Sequence, residues 1–341
     1  MNTDRCPSTL KPGFNTYSPA AIRKLFDGRK VSHLLPFLPP EKDANTNEAF
    51  MENRKRLNFS GVKKKLSLRL EKNKLRLTQE GEFGHYILKP IPDDIKQPHQ
   101  VPANEHLSMQ LAEQVFKINT AANAMIFFQD GQGAYLTRRF DYAPPVEGDD
   151  TRKYGMEDFA TLAQKSKDTH GVDFKYEGSY EDLFLLLKQY VGPYLIEAQK
   201  LFRLMLFNYV ISNGDAHLKN YSLLETSGRD YILSPAYDLL TTRLHVNDPD
   251  IALKDGLFNS YETESFNANG FYAYDDFFQL GVRVGLGEGV VRNTINQFQT
   301  KEAEVKELVA RSFLSEELKK EYYDHFLNKI SRLNYSFSKH I

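Results

Sequence analysis

Along residues 66–77 apolar and polar side chains alternate, with Leu66, Leu68 and Leu70 in one run, Leu75 and Leu77 in a second, and Lys72-Asn73-Lys74 between them. A period of two broken by a polar turn predicts a β-hairpin, and Tyr86–Lys89 reads as a third strand. Residues 102–117 change period. Leu107, Leu111 and Val115 recur at helical spacing, with Glu105 in the first turn, so a helix is expected. Two more strand-like runs follow at 124–128 and 134–139, joined by Gln129-Asp130-Gly131-Gln132-Gly133. Ahead of the hairpin lie a helical patch, SPAAIRKLFDG, with Ser18 as N-cap before Pro19, and then LLPFLPPEKD. The polar run 41–52 reads as a linker.

Beyond the Pro- and acid-rich loop 141–153 the period shifts to 3.6. Residues 179–190 and 193–211 are strongly helical, and the second stretch stops at Asn213-Gly214, good helix-ending residues. A short hairpin follows, YSLLE-TSGRD-YILS, and then mostly helical sequence. The expected fold class is α+β: an N-terminal segment (1–50), a β-rich N-lobe (51–141) and a helical C-lobe (142–341).

Composition narrows the function classes. With 44 Lys+Arg against 45 Asp+Glu the net charge is −1, too balanced for a protein that coats nucleic acid by charge. The single cysteine, Cys6, excludes a disulfide framework or a Cys-rich zinc site. No apolar run reaches about 18 residues and the first residues carry no apolar leader, so a cytoplasmic protein without a membrane span is expected.

Chemistry concentrates in SNGDAHLKNYSLLETSGRDYILSPAYDLLTT, residues 212–242. Asp215, His217, Lys219 and Asn220 fall within six positions, and Asp238 follows the hairpin. In phosphoryl transfer an Asp accepts a hydrogen bond from the attacking hydroxyl, an Asn five residues on holds Mg²⁺, and a second Asp coordinates Mg²⁺ between phosphates. Asp215, Asn220 and Asp238 match that order. Two other readings stand beside it: an ordinary polar turn, and a zinc site built on Asp215-x-His217.

The N-lobe supplies the other parts such chemistry needs. Lys89 ends the strand HYILK, and Glu105 lies sixteen residues later on the next helix, as a phosphate-binding lysine and its pairing glutamate require. FSGVKKK (59–65) precedes that lysine; Ser60, Gly61, Val62, Lys63, Lys64 and Lys65 could offer backbone N–H groups and positive charge to a triphosphate. A hinge is expected at Arg138-Arg139-Phe140.

The blocks FSGVKKKLSL, HYILKP, NEHLSMQLA, YLTRRFDY, KYEGSYEDL, NGDAHLKNYS and LSPAYDLLTT, in this order from Phe59 to Thr242, resemble the HipA family of toxin–antitoxin kinases. The resemblance implies a two-lobed protein-kinase-like fold and an ATP- and Mg²⁺-dependent serine/threonine kinase. Such a toxin silences a host protein, an aminoacyl-tRNA synthetase being the best-known target class. It implies Asp215 as catalytic base and Asn220 and Asp238 as metal ligands. The ATP contacts it implies are Lys89, His217, Lys219, Tyr237 and the hinge residues Arg138, Arg139 and Phe140. The phosphate loop departs from the family's G-x-Q-x-K at Lys63, and Arg138 stands where an acid is common. Ser60 lies where relatives carry regulatory autophosphorylated serines. Residues 5–38 resemble a Cys-rich module of short family members of which only Cys6 survives. The implied partners are an HTH antitoxin of the HipB type, with DNA met only through it, and a separate small HipS-like subunit. A different class, a degenerate kinase fold that docks the antitoxin and aids repression, would follow from the altered loop and hinge. The ten Lys/Arg between Arg54 and Arg76 read first as a solvated strand face. The aromatic C-terminus (Phe313, Tyr322, Tyr323, Phe326, Tyr335, Phe337) reads as C-lobe core.

Overall fold

The computed structural model describes residues 3–39, 65–142, 153–259 and 261–337. It divides into two compact units, the first made of 1–110, 121–153 and 307–319, the second of 111–120, 154–306 and 320–341. The loop residues Ser60, Gly61, Val62, Lys63 and Lys64 lie outside the described residues, and Lys65 is the first described after them.

The first unit is built on a five-stranded antiparallel sheet in the order β2-β1-β3-β5-β4. Its strands are β1 (Leu66–Glu71), β2 (Lys74–Leu77), β3 (Tyr86–Lys89), β4 (Asn123–Phe127) and β5 (Gly133–Arg138). The hairpin anticipated from alternation forms, with Leu68 opposite Leu77 and Leu70 opposite Leu75, and Lys72 takes a positive φ of 53° in its turn. Helix α1 (Pro19–Phe26) starts as expected: the Ser18 hydroxyl accepts from the Ala21 amide and Pro19 opens the first turn. Cys6, Tyr17, Leu25, Phe26 and Leu35 share one core with Leu66, Leu68, Leu88, Ile126 and Leu136, so the N-terminal segment covers the sheet instead of standing apart. Cys6 is buried, and its sulfur accepts from the Ser18 amide at 3.2 Å.

Helix α2 (Val101–Gln114) begins before Pro102, which places Glu105 beyond the first turn. It is buried almost all round, and its polar residues are paired inside: Gln110 donates to Asn123 at 2.9 Å and a ring nitrogen of His106 lies 2.8 Å from the Ser8 carbonyl oxygen. Phe313 departs from the expected C-lobe core. Its segment belongs to the first unit, where its ring meets His106 and Phe127.

In the second unit β6 (Met156–Asp158), β7 (Ser222–Glu225) and β8 (Tyr231–Leu233) form a three-stranded antiparallel sheet. Short helices α3 (Phe159–Leu162) and α4 (Lys167–His170) precede α5 (Tyr180–Tyr190) and α6 (Tyr194–Val210). Ser179 and Asp182 close a reciprocal capping box at the start of α5. Helix α6 is the centre of this unit, burying Leu201, Phe202, Met205, Phe207 and Tyr209, each worth about 1.5–3 kcal/mol. The chain continues through α7 (Glu264–Asn269), α8 (Tyr274–Arg283) and α9 (Glu288–Gln299), then α10 (Glu302–Ala310), of which this unit holds the part up to residue 306, and α11 (Glu316–Asn334), which it holds from residue 320. Tyr322 and Phe326 of α11 are buried, as the aromatic C-terminus suggests, whereas Tyr323, Tyr335 and Phe337 are only partly so.

Candidate active site

The site in the second unit is a loop, residues 211–221, between α6 and β7. Helix α6 ends at Val210, and the left-handed residue that turns the chain is Ser212, with φ 56°, not the expected Asn213-Gly214 pair. Gly214 has another purpose. A Cβ there would lie 2.5 Å from the Asp248 Cβ and from the Pro249 carbonyl oxygen, so only glycine allows that close approach beside Asp215. Asn213 donates to Asn208 at 2.8 Å, and the Gly214 amide donates to the Thr242 hydroxyl at 2.9 Å.

Three tyrosine hydroxyls fix the rest of the loop. Tyr176 donates to Asp215 Oδ1 at 2.6 Å, Tyr180 to the Ala216 carbonyl at 3.0 Å, and Tyr237 to the Lys219 carbonyl at 2.9 Å. Burial pushes all three phenols up, so they are neutral donors at any physiological pH. Sequence reasoning included Tyr237 as an ATP contact; its hydroxyl meets Lys219 and Ser222. It missed Tyr176, Tyr180 and Thr242, which stand 39, 36 and 28 residues from the groups they hold.

His217 is buried, its ring edge-on to Tyr176 with centroids 5.3 Å apart, and Nε2 lies 3.9 Å from Asp215 Oδ1. Burial pushes its imidazole down to about 4 and outweighs the pull of Asp215 and Asp238, so it is neutral at pH 7. Both carboxylates therefore act on the same ring. Asp238 takes a left-handed backbone with φ 55°, an uncommon conformation for a residue with a side chain. Lys219 pairs with Asp158 at 2.9 Å, which turns its ammonium toward the start of α3.

The Asn220 side-chain oxygen is buried and accepts no hydrogen bond among the described residues. An orphaned amide oxygen on the loop that also carries Asp215 suits a hard cation such as Mg²⁺, which takes one or two protein oxygens and leaves the rest to phosphate and water. Zinc on Asp215 and His217 would need a third such ligand, and among the described residues no three His, Cys, Asp or Glu side chains gather as a metal-ligand set.

In the first unit Lys89 at the end of β3 meets Glu105 of α2 at 2.5 Å, both side chains nearly buried, and its ammonium lies 5.3 Å from the ring of its cross-strand neighbour Tyr135. At the end of β5 Arg138 forms a two-pronged pair with Asp27, at 2.7 and 2.8 Å. Arg139 does the same with Asp141, at 2.9 and 2.6 Å, and its guanidinium lies 5.0 Å from the Tyr142 ring. Both guanidinium groups are paired with protein carboxylates.

A protein-family model described as the HipA-like C-terminal domain matches residues 57–306. A Haemophilus influenzae protein named "Putative kinase" is 23% identical, the match covering 91% of each chain. "Putative kinase Y4dM" of Sinorhizobium fredii is 30% identical over 79% of this chain, which spans 65% of that longer relative. Among solved structures, the Shewanella oneidensis HipA, determined in complex with HipB and operator DNA, superposes with a TM-score of 0.63 at 20% identity, over 87% of this chain and 74% of that one. That likeness carries the fold, α+β with a β-rich N-terminal part and a helical C-terminal part, as the sequence led us to expect. With the family match spanning both units, the chain belongs to the HipA-like kinase family.

Proposed function

We propose that the protein is an ATP-dependent serine/threonine protein kinase and the toxin of a toxin–antitoxin system. The observation that carries the reading is the Asn220 oxygen, buried and without a hydrogen-bond partner among the described residues, five residues after Asp215 and on the loop that presents the neutral His217 to Asp215 and Asp238. Asp215 accepts the proton of a serine hydroxyl as its oxygen bonds to the γ-phosphorus, and the bond to the β-phosphate oxygen breaks to release ADP. Asn220 and Asp238 would hold Mg²⁺, which neutralises charge on the phosphates. Lys89, kept in place by Glu105, meets the phosphates from its strand end, and backbone atoms of Arg138 to Phe140 receive the adenine.

The protein target is a serine of a host protein, with an aminoacyl-tRNA synthetase the first to try. An HTH antitoxin of the HipB type is the partner through which DNA is met, in keeping with the complex known for the Shewanella protein. A small HipS-like subunit completes the assembly. Ser60 is the regulatory phosphorylation position. Thermal unfolding with and without Mg-ATP tests the nucleotide part. At one hundred times the dissociation constant the folded state gains about 2.7 kcal/mol, so a clear rise in Tm is expected, and no rise at millimolar Mg-ATP would contradict the reading.

A further inference from the structure

Tyr176 stands outside the D-x-x-x-x-N pattern, yet it makes a short contact with the candidate base, 2.6 Å from hydroxyl to Asp215 Oδ1. Its phenol is held neutral by burial and by the Asp215 charge, so the group is a donor and Asp215 the acceptor. The backbone that carries Tyr176 is fastened in register to a second strip of chain. The Lys254 amide donates to the Tyr176 carbonyl at 2.9 Å, the Asp255 amide to Gly178 at 3.1 Å, and the Tyr180 and Glu181 amides to Gly256 and Leu257 at 2.9 Å each. Lys254 adds an ion pair to Glu177 at 3.0 Å. Gly256 permits this seam: its φ is +76°, and a Cβ would meet the Tyr272 hydroxyl at 2.1 Å. Tyr176 is therefore set by the strip 253–257, and the Asp215 carboxylate is set by Tyr176.

We propose that Tyr176 is a positioning residue for phosphoryl transfer. Resting on the kinase reading above, it fixes the rotation of the Asp215 carboxylate, and so the direction from which that carboxylate takes the acceptor's proton. A carboxylate with one oxygen anchored presents the other along a single line. Loosening that anchor widens the range of its orientations, and small misplacements of a catalytic group cost rate steeply. The mechanism makes a specific demand on kinetics. Losing the hydroxyl must slow transfer without weakening ATP, because the phosphate and metal contacts lie on other residues.

The test is Tyr176→Phe, which removes one oxygen, assayed by label transfer from γ-labelled ATP to the acceptor band of a clarified bacterial lysate. The maximal rate should fall at least about ten-fold, with the ATP concentration for half-maximal rate changed less than about two-fold. On an Asp215→Asn background the same change should cost less than about two-fold, because Tyr176 acts through the carboxylate. A wild-type rate in Tyr176→Phe overturns the proposal and leaves the kinase reading standing. Equal losses on both backgrounds, or a loss carried by ATP affinity, assign Tyr176 a merely structural role and overturn it also. No transfer from the wild-type protein removes the kinase reading and this proposal together.

Discussion

The buried, neutral His217 predicts a specific loss of stability in acid. Its imidazole is held at about 4 in the folded protein against 6.5 for an exposed histidine. Between those values the unfolded chain binds a proton that the folded one refuses, so stability falls as pH drops through 6.5 toward 4. At pH 5 the contribution lost is about 2 kcal/mol, and the full difference is about 3 kcal/mol. His106, fully buried in α2 and likewise pushed down to about 4, adds a term of the same size and sign. Carboxylates titrate in the same range, so the informative quantity is a difference between variants. Urea unfolding followed by far-UV circular dichroism, at about pH 7.5 and pH 5, should show the drop reduced by about 2 kcal/mol in His217→Gln and by a similar amount in His106→Gln. The chain has no tryptophan, which makes backbone dichroism the natural signal. An unchanged drop in His217→Gln would mean that the ring is charged or solvated in the folded protein. The neutral-histidine account of the loop would then fail.

Gly214→Ala should cost about 1–3 kcal/mol, because its Cβ would press on the backbone of Pro249, and it should lower transfer as well. Glu105→Gln should cost about 3–5 kcal/mol in denaturant titrations, since it takes one charge out of a nearly buried ion pair; a loss under 1 kcal/mol would show that the pair is effectively solvated. Asp238→Ala should abolish the Mg²⁺ dependence of ATP affinity in calorimetry, and undiminished tightening by Mg²⁺ would remove Asp238 from the metal role.

The strands and helices that are long and periodic were legible. Alternation at Leu66–Leu77 set the hairpin register, and the 3.6 period exposed α5 and α6. The candidate residues of the 211–221 loop were legible for a similar reason, since one continuous stretch carries Asp215, His217 and Asn220. What escaped depends on contacts between distant segments. Tyr176 and Thr242 reach the loop from far along the chain, and a hydroxyl aimed at a carboxylate or an amide leaves no local pattern. β6 is three residues long and exists only because β7 lies beside it, and Phe313 joins the first unit through a segment that local periodicity cannot place. The helix stop was shifted because Asn213-Gly214 looks like a cap, whereas glycine is needed there for the closeness of Asp248 and Pro249.

The most direct test of the central claim is phosphate transfer itself. Wild-type protein and Asp215→Asn are incubated with γ-labelled ATP, Mg²⁺ and a bacterial lysate, and the labelled proteins are separated and digested. The account predicts one dominant labelled protein bearing phosphoserine with the wild type, and label reduced at least about a hundred-fold with Asp215→Asn while ATP binding persists. Equal labelling by the two proteins, or none by the wild type while it binds Mg-ATP, would contradict it.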